Sequence, residues 1–247
     1  MLSLGIVETA LELVPTALAK HPAVVAAAKI RGRPPTRILL DEAVHAPAMS
    51  SLADSEKRGR PDIVHRALLT TLDSVFVREN QLAVLFVHTY DGRIVEIDPR
   101  TRLPRRFVRF VGLMEQLLSG QAKEPGPEAR PLLRIRPEPL TVFVQQLHPS
   151  RIILLTEDGD PTPSTELAQR LLAEPNPLVL VGGFARGTFS RAVQELATQK
   201  VSLDPEPLST STVVGMLLHS LENNLDLAHR RFHERPPSRP GNEQEDL

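Results

Sequence analysis

The stretch 178–190, LVLVGGFARGTFS, constrains this chain more than any other. Its opening apolar run, residues 178–181, has the length and composition of a strand buried on both faces, as parallel strands are. The run stops at Gly182-Gly183, and Gly187 follows. Lacking a Cβ, glycine adopts positive φ and lets a second molecule approach the main chain. The strand end is therefore suited to presenting N–H and C=O groups to a ligand. A related feature follows, where residues 207–212, PLSTST, lead into an apolar helix over 213–227. Two loops at strand ends, the second opening a long helix, point to a small-molecule pocket in an α/β domain. The pattern is not the G-x-G-x-x-G dinucleotide fingerprint. Taken locally, it suits a plain strand–turn–helix connection as well as a cofactor loop.

A chain of 247 residues is long enough for one large α/β domain or two small ones. Hydrophobic residues make up 41% and aromatics 4%, with no tryptophan, so the core must come from Leu, Val, Ile and Ala. Base stacking on aromatic platforms is then a poor expectation. The absence of cysteine excludes disulfides, thiol catalysis and sulfur-ligated zinc. No apolar run has the length of a membrane span, and the start, MLSLGIVE, lacks the features of a secretory signal. A cytoplasmic location without a membrane partner is expected.

Taken in order, residues 2–7 read as a strand and 8–18 have helical spacing interrupted at Pro15. A helix over 22–30 is closed by Gly32, and 38–41 read as a second strand with Asp41 at its carboxyl end. Gly59 breaks the chain, Pro61 suits a first helical position, and Asp62 falls in the first turn of a helix through Leu72. Residues 82–89 are a buried-type strand joined by Asp91-Gly92 to a return strand at 93–97. A short helix runs to Leu118, 121–131 read as a surface loop, 140–144 and 151–156 as strands, and 165–173 as a helix. Residues 234–247 are too polar and proline-rich to fold. Strands alternating with helices predict a mainly parallel α/β sheet. Residues 1–233 are expected to form one domain, with 93–118 as an appendage on the sheet.

Five arginines, Arg100, Arg102, Arg105, Arg106 and Arg109, stand within ten residues with no acid among them. Arginine binds phosphate through a rigid bidentate fork, so despite a net charge of −1 this segment marks nucleic acid as a partner. The plainer alternative is a solvated loop whose arginines pair with acids elsewhere. Lys57, Arg58 and Arg60 form a second basic cluster beside Asp62. Asp62 is either a first-turn acid favoured by the helix dipole or a carboxylate held among arginines to accept or orient a proton. His229 and His233 have helical i, i+4 spacing but no evident third ligand, so no metal is expected. Neither a G-x-S-x-G elbow nor a P-loop is present, which counts against hydrolase and NTPase chemistry.

Four blocks together, SEKRGRPDIVH (55–65), RLPRRFVRFVGLMEQLL (102–118), VGGFARG (181–187) and PLSTSTV (207–213), resemble the Nep/Emg-type SPOUT methyltransferases, in that family's order. Those are ribosome-biogenesis enzymes that methylate N1 of a pseudouridine in small-subunit rRNA. The sequence departs from the family near Val44-His45, where two histidines are common. Its lack of basic extensions is closer to archaeal than to eukaryotic members. The resemblance implies an α/β SPOUT fold with a mainly parallel sheet, a C-terminal trefoil knot and a small β-rich extension. It implies a homodimer with S-adenosylmethionine as cofactor, small-subunit rRNA as substrate and other ribosome assembly factors as further partners. By position, the implied cofactor residues are Leu155, Thr156, Gly182, Gly183, Phe184, Gly187, Leu203, Leu208, Ser209 and Val213. Arg60, Arg102, Arg105 and Arg109 would contact RNA within an extension around 91–118, and Asp62 would be catalytic. Apolar residues on more than one face of the last helix, including Val213, Val214, Met216, Leu217, Leu218, Leu221 and Leu225, suit a dimer or a core helix. A non-catalytic RNA-binding assembly factor on the same fold is the alternative function.

Overall fold

The computed structural model describes residues 1–121 and 131–234. The loop expected at 121–131 therefore lies outside the described residues except at its two ends, and so does the tail from 235 onward. Seven strands form one sheet: β1 (Leu2–Thr9), β2 (Leu82–Thr89), β3 (Ile94–Ile97), β4 (Leu133–Arg136), β5 (Arg151–Pro161), β6 (Pro177–Gly182) and β7 (Gln199–Ser202). Their order is β4-β3-β2-β1-β6-β5-β7. The strands from β2 to β7 in that order are parallel, and β3 and β4 add an antiparallel edge. The expected β-rich extension is thus a continuation of the main sheet. Its hairpin turn places Gly92 at φ +85.

Alternation along β6 shows why the sheet is covered on both sides. Val179 and Val181 join a large core with α3 (Pro61–Asp73), α5 (Phe107–Leu118), α7 (Ser164–Ala173) and α9 (Thr210–Asn224). Leu178 and Leu180 face the opposite way, toward Phe143 and Val144 of α6 (Leu140–Gln146) and Val193 of α8 (Arg191–Leu196). A smaller apolar cluster gathers α1 (Pro22–Arg31) and α2 (Glu42–Met49). The remaining helices are α4 (Val75–Arg78) and α10 (Leu227–Glu234). No helix among the described residues is long and apolar enough to cross a membrane.

Four expected elements are corrected. Residues 8–18 form no α-helix: β1 runs on to Thr9, the main chain beyond it pairs elsewhere, with Val14 N–H to Ile38 O at 2.9 Å and Leu40 N–H to Glu12 O at 3.0 Å, and only Thr16–Leu18 make a single 3-10 turn. The stretch 38–41 meets its partner only at the isolated Leu13–Leu39 bridge, and Asp41 instead caps α2 by accepting from Ala43 N–H at 3.0 Å. The stretch 140–144 is helical, because Leu140, Phe143 and Val144 have i, i+3, i+4 spacing that buries one face. The helix expected over 213–227 begins earlier, at Thr210 with Ser209 as its N-cap, and ends at Asn224, with α10 following from Leu227.

Helix α9 also bears on assembly. Val214, Leu217, Leu218 and Leu221 are buried within the chain, and α9 packs between α3 and α7. Each such side chain contributes about 1.5–3 kcal/mol by burial, and Val213 and Leu225 pack against the same core while only half-buried, as is Met216.

Two histidines, His45 buried and His88 half-buried, make stability depend on pH. Burial pushes the ring of His45 below its usual range, and the same holds for His88. Each ring's Nδ1 accepts a backbone N–H, from Asp41 at 3.0 Å and from Glu8 at 3.3 Å. With folded values below the ordinary 6.5, the unfolded chain binds protons first as pH falls. This contribution is complete above the unfolded value and is lost as pH falls toward the folded ones. The urea midpoint should therefore drop between pH 7 and pH 5, and His88→Gln should flatten that drop; equal slopes for the two proteins would contradict it.

Candidate functional site

Strands β5, β6 and β7 end at one edge of the sheet, and the chain encloses a cavity of about 360 Å³ there. That volume is in the range of small-molecule sites. One wall is an excursion of β5: Leu155 and Asp160 both pair with Val201, so residues 156–159 loop outward. Gly159 makes this possible, since a Cβ there would lie 2.4 Å from the Val201 carbonyl carbon. The Thr156 hydroxyl donates to Asp158 Oδ1 at 2.5 Å. That bond, with Lys200 nearby, holds the Asp158 carboxyl below the usual range.

A second wall follows β6. Gly182 faces the edge-on pair of Phe184 and Phe189, whose ring centres are 5.2 Å apart. The third wall comes from the end of β7 and the start of α9, where Thr210 Oγ1 donates to Gly182 O at 2.7 Å. Among the expected cofactor residues, Leu155, Thr156, Gly182, Phe184, Gly187, Leu203, Leu208 and Val213 line the cavity. Gly183 and Ser209 are not among its lining residues. Gly183 is needed for packing, since a Cβ there would come within 2.4 Å of Thr9 Cγ2. Ser209 accepts from Thr212 N–H at 3.3 Å as the cap of α9. Four carboxylates that sequence reasoning did not place also line the cavity: Glu157, Asp158, Asp204 and Glu206, opposed by Lys200.

The basic turn at 57–62 adjoins this cavity. Ala10 N–H donates to Gly183 O at 2.8 Å, and Arg60 N–H donates to Ala10 O at 3.1 Å, so main-chain bonds run from the glycine turn to Arg60. Lys57 Nζ donates to Thr188 O at 2.6 Å and to Glu8 Oε2 at 2.9 Å, and lies 4.5 Å from the centre of the Phe184 ring. Arg58 is buried and grips Glu12 with two bonds of 2.7 Å. Burial pushes the Glu12 carboxyl up, against the pull of Arg58.

Asp62 accepts from Arg60 Nε at 2.8 Å, from Arg60 Nη2 at 3.0 Å and from Arg66 Nη2 at 2.6 Å. The Arg60 fork, reinforced by Arg66, holds its carboxyl below the usual range.

The arginine segment runs beside α3. His65, one turn beyond Asp62, bonds Pro104 O at 2.8 Å and stacks on Phe110 at 4.5 Å. Arg105 is 77% exposed, and its guanidinium lies 3.1 Å from Asp73 near the other end of α3. Arg100 pairs with Asp98. Arg102, Arg106 and Arg109 are exposed and make no ion pair among the described residues. Arg109 belongs to α5 and not to the irregular segment. The plain alternative of pairing with acids elsewhere therefore describes Arg100 and Arg105 only.

A mainly parallel α/β sheet with a cavity built from the loops at its carboxyl edge is the plan of an α/β protein that takes a small molecule there, and its match to a solved Nep1 structure makes the class SPOUT. The family model described as EMG1/NEP1 methyltransferase matches residues 6–222, and the chain belongs to that family. It is 40% identical over 227 residues to the "Ribosomal RNA small subunit methyltransferase Nep1" of Thermococcus kodakarensis, covering 92% of this chain and 100% of that one. The protein of the same name from Pyrococcus furiosus is 39% identical over 221 residues, or 90% of this chain and 96% of that one. Among solved structures, Archaeoglobus fulgidus Nep1 bound to S-adenosylhomocysteine superposes with a TM-score of 0.79 at 34% identity, over 91% of this chain and 98% of that one.

The backbone approach at Val201 is the tightest constraint on the cavity. Gly159→Ala should lower the melting temperature and weaken binding of any ligand in the cavity by tenfold or more, since the obstacle is main chain and cannot rotate away. An unchanged melting temperature and calorimetric titration with S-adenosylhomocysteine would contradict this.

Proposed function

We propose that this chain is an S-adenosylmethionine-dependent methyltransferase acting on N1 of a pseudouridine in small-subunit ribosomal RNA during ribosome biogenesis. The observation that carries the reading is the contact between the two surfaces. Lys57 of the basic turn packs against Gly187 and bonds Thr188, both of which line the cavity. The names of the relatives support the class of substrate. The family resemblance supports the rest: a homodimer, a C-terminal trefoil knot, one domain with an RNA-binding extension around 91–118, a cytoplasmic location and further assembly factors as partners. The return of the chain from β7 to bond Gly182 through Thr210 also suits a knotted C-terminal segment.

The cavity's donor set fits the cofactor. Four carboxylates against one lysine favour a cationic ligand, and Phe184 and Phe189 supply an apolar wall. Leu155, Thr156, Gly182, Gly183, Phe184, Gly187, Leu203, Leu208, Ser209 and Val213 are the residues we assign to holding it. When bound, S-adenosylmethionine supplies an electrophilic methyl group on a positively charged sulfur. The chain's part is to hold the acceptor in line with that group. Arg102, Arg105 and Arg109 are assigned to the RNA phosphates. Pseudouridine N1 must lose its proton, in this reading to solvent water as the N–CH3 bond forms, and the anionic charge that develops on the ring is what Arg60 would stabilise. Asp62, ionised and gripped by two guanidinium groups, is a weak proton acceptor. In this reading it orients Arg60.

Small-subunit rRNA incubated with protein and labelled cofactor, digested and analysed by mass spectrometry, should yield a labelled N1-methylpseudouridine. Asp62→Asn should leave S-adenosylhomocysteine affinity unchanged and lower methyl transfer tenfold or more; unaltered turnover would remove Asp62 from the site. Arg105→Ala should weaken RNA binding and reduce its salt slope by about one. RNA binding without any cofactor uptake or label transfer would instead favour a non-catalytic assembly factor.

A further inference from the structure

A second basic region lies at the other end of α5. Residues 13–40 contain Lys20, Lys29, Arg31, Arg33 and Arg37 and no acid. Helix α1 ends at Arg31, Gly32 turns the chain at φ +60, and Arg33 follows. Both arginines reach Glu115 of α5, Arg31 Nε lying 3.0 Å from Oε1 and Arg33 Nε 3.4 Å from Oε2. Leu39 N–H also donates to Oε1, at 3.1 Å.

Glu115 is 1% exposed, whereas the two arginine side chains are 33% and 24% exposed. One guanidinium would neutralise this carboxylate. The second leaves a net positive charge at the surface, fixed from beneath by a buried anchor. Arg31, Gly32, Arg33 and Pro34 wall an open recess together with Gln116 and Gln121. Guanidinium forks and carboxamide N–H groups converging on one recess are donors for an oxyanion.

The recess is in line with the arginine segment. Arg109 and Gln116 are seven residues apart on α5, hence on one face and about 10 Å apart along the axis. Both are exposed. Between them is Gly112, where a Cβ would meet nothing within 4 Å, so the main chain is open to a neighbour. We propose that this recess is a second phosphodiester site. A single RNA strand held at Arg102, Arg105 and Arg109 continues along the open face of α5, over Gly112, to Arg31 and Arg33. The proposal rests on the RNA-binding reading above and extends its footprint to the α1 region.

Removing Arg31 or Arg33 would leave Glu115 buried and poorly compensated, so the test uses Gln116. Fluorescence anisotropy with a labelled small-subunit rRNA fragment, titrated over salt, is the readout. Gln116→Glu places a carboxylate beside the guanidinium pair and should weaken binding several-fold at low salt, the difference closing as salt rises. Gln116→Lys should tighten binding. Neither should change the melting temperature or S-adenosylhomocysteine affinity. Gln145→Glu, the same charge change on α6 across the sheet, should leave binding unchanged; an equal loss there would reduce the effect to net charge and overturn the proposal. If Arg105→Ala weakens binding while both Gln116 variants match the parent, the recess is not on the RNA path, although the RNA-binding reading stands. If Arg105→Ala is also silent, that reading itself fails. Inorganic phosphate broadened in a ³¹P spectrum by the parent but not by Gln116→Glu, with RNA affinity equal in the two proteins, would mark a free-phosphate site and likewise overturn the proposal.

Discussion

The geometry of the functional edge depends on how the chain leaves β6. Strands β1, β6 and β5 are parallel and stop pairing with one another at nearly the same level, Val7 with Gly182 and Leu155 with Val181, so each must turn away without blocking the next. Gly183 solves this by using its main chain fully: its N–H donates to Val7 O at 3.0 Å and its carbonyl accepts from Ala10 N–H at 2.8 Å. A side chain there would displace Thr9 and Ile6 of β1. With the backbone drawn in at that point, Gly182 and Phe184 open onto the cavity on one side, and Ala10 receives Arg60 on the other. The glycine pair is therefore divided in role. Gly182 lines the cavity, and Gly183 holds the strand ends that shape it.

Charge is sorted by sign across this junction. Inside, carboxylates from the β5 excursion and from the segment after β7 outnumber Lys200, which suits a cationic ligand. Outside, Arg102, Arg106 and Arg109 have no acidic partner among the described residues and suit a polyanion. The basic turn between them is held firmly. The buried Arg58–Glu12 fork would cost about 3–5 kcal/mol to break from one side, whereas exposed pairs such as Arg105–Asp73 contribute about 0–1 kcal/mol. The weakly paired arginines are thus free to exchange an acid for a phosphate, while Arg58 is committed to the fold.

Much of this was legible in the sequence where local pattern and tertiary environment agree. The apolar runs of β1, β2 and β6 are strands because both of their faces are covered. Helix α3 starts where Pro61 and Asp62 indicate. Pattern failed where the partner is distant. Residues 8–18 have helical spacing, yet the backbone groups of residues 10–14 are taken by distant partners, Ile38, Leu40, Arg60, Tyr90 and Gly183. The run 140–144 is rich in β-branched and aromatic residues but follows Pro139, and its apolar residues recur at helical spacing. Strand β7, QKVS, is too short and polar to announce itself and exists because β5 pairs with it twice around Val201. The same wrap explains why the acidic lining was missed: Glu157 and Asp158 meet Asp204 and Glu206 only once β5 and β7 are joined. The family resemblance reached the cavity loops because it compares whole blocks, which local periodicity cannot do.

The claim at the centre is that a cavity built of bare main chain lies beside an arginine-lined bed for RNA and that one reaction uses both. A crystal structure of the protein with S-adenosylhomocysteine and a small-subunit rRNA fragment tests it most directly. The cofactor product is expected between the β5 excursion and the Gly182 turn, with an RNA base brought to it past Arg60 and phosphates on Arg102, Arg105 and Arg109. Product bound elsewhere, or RNA lying on a surface that does not meet the cavity even when a second copy of the chain is paired with the first, would contradict it.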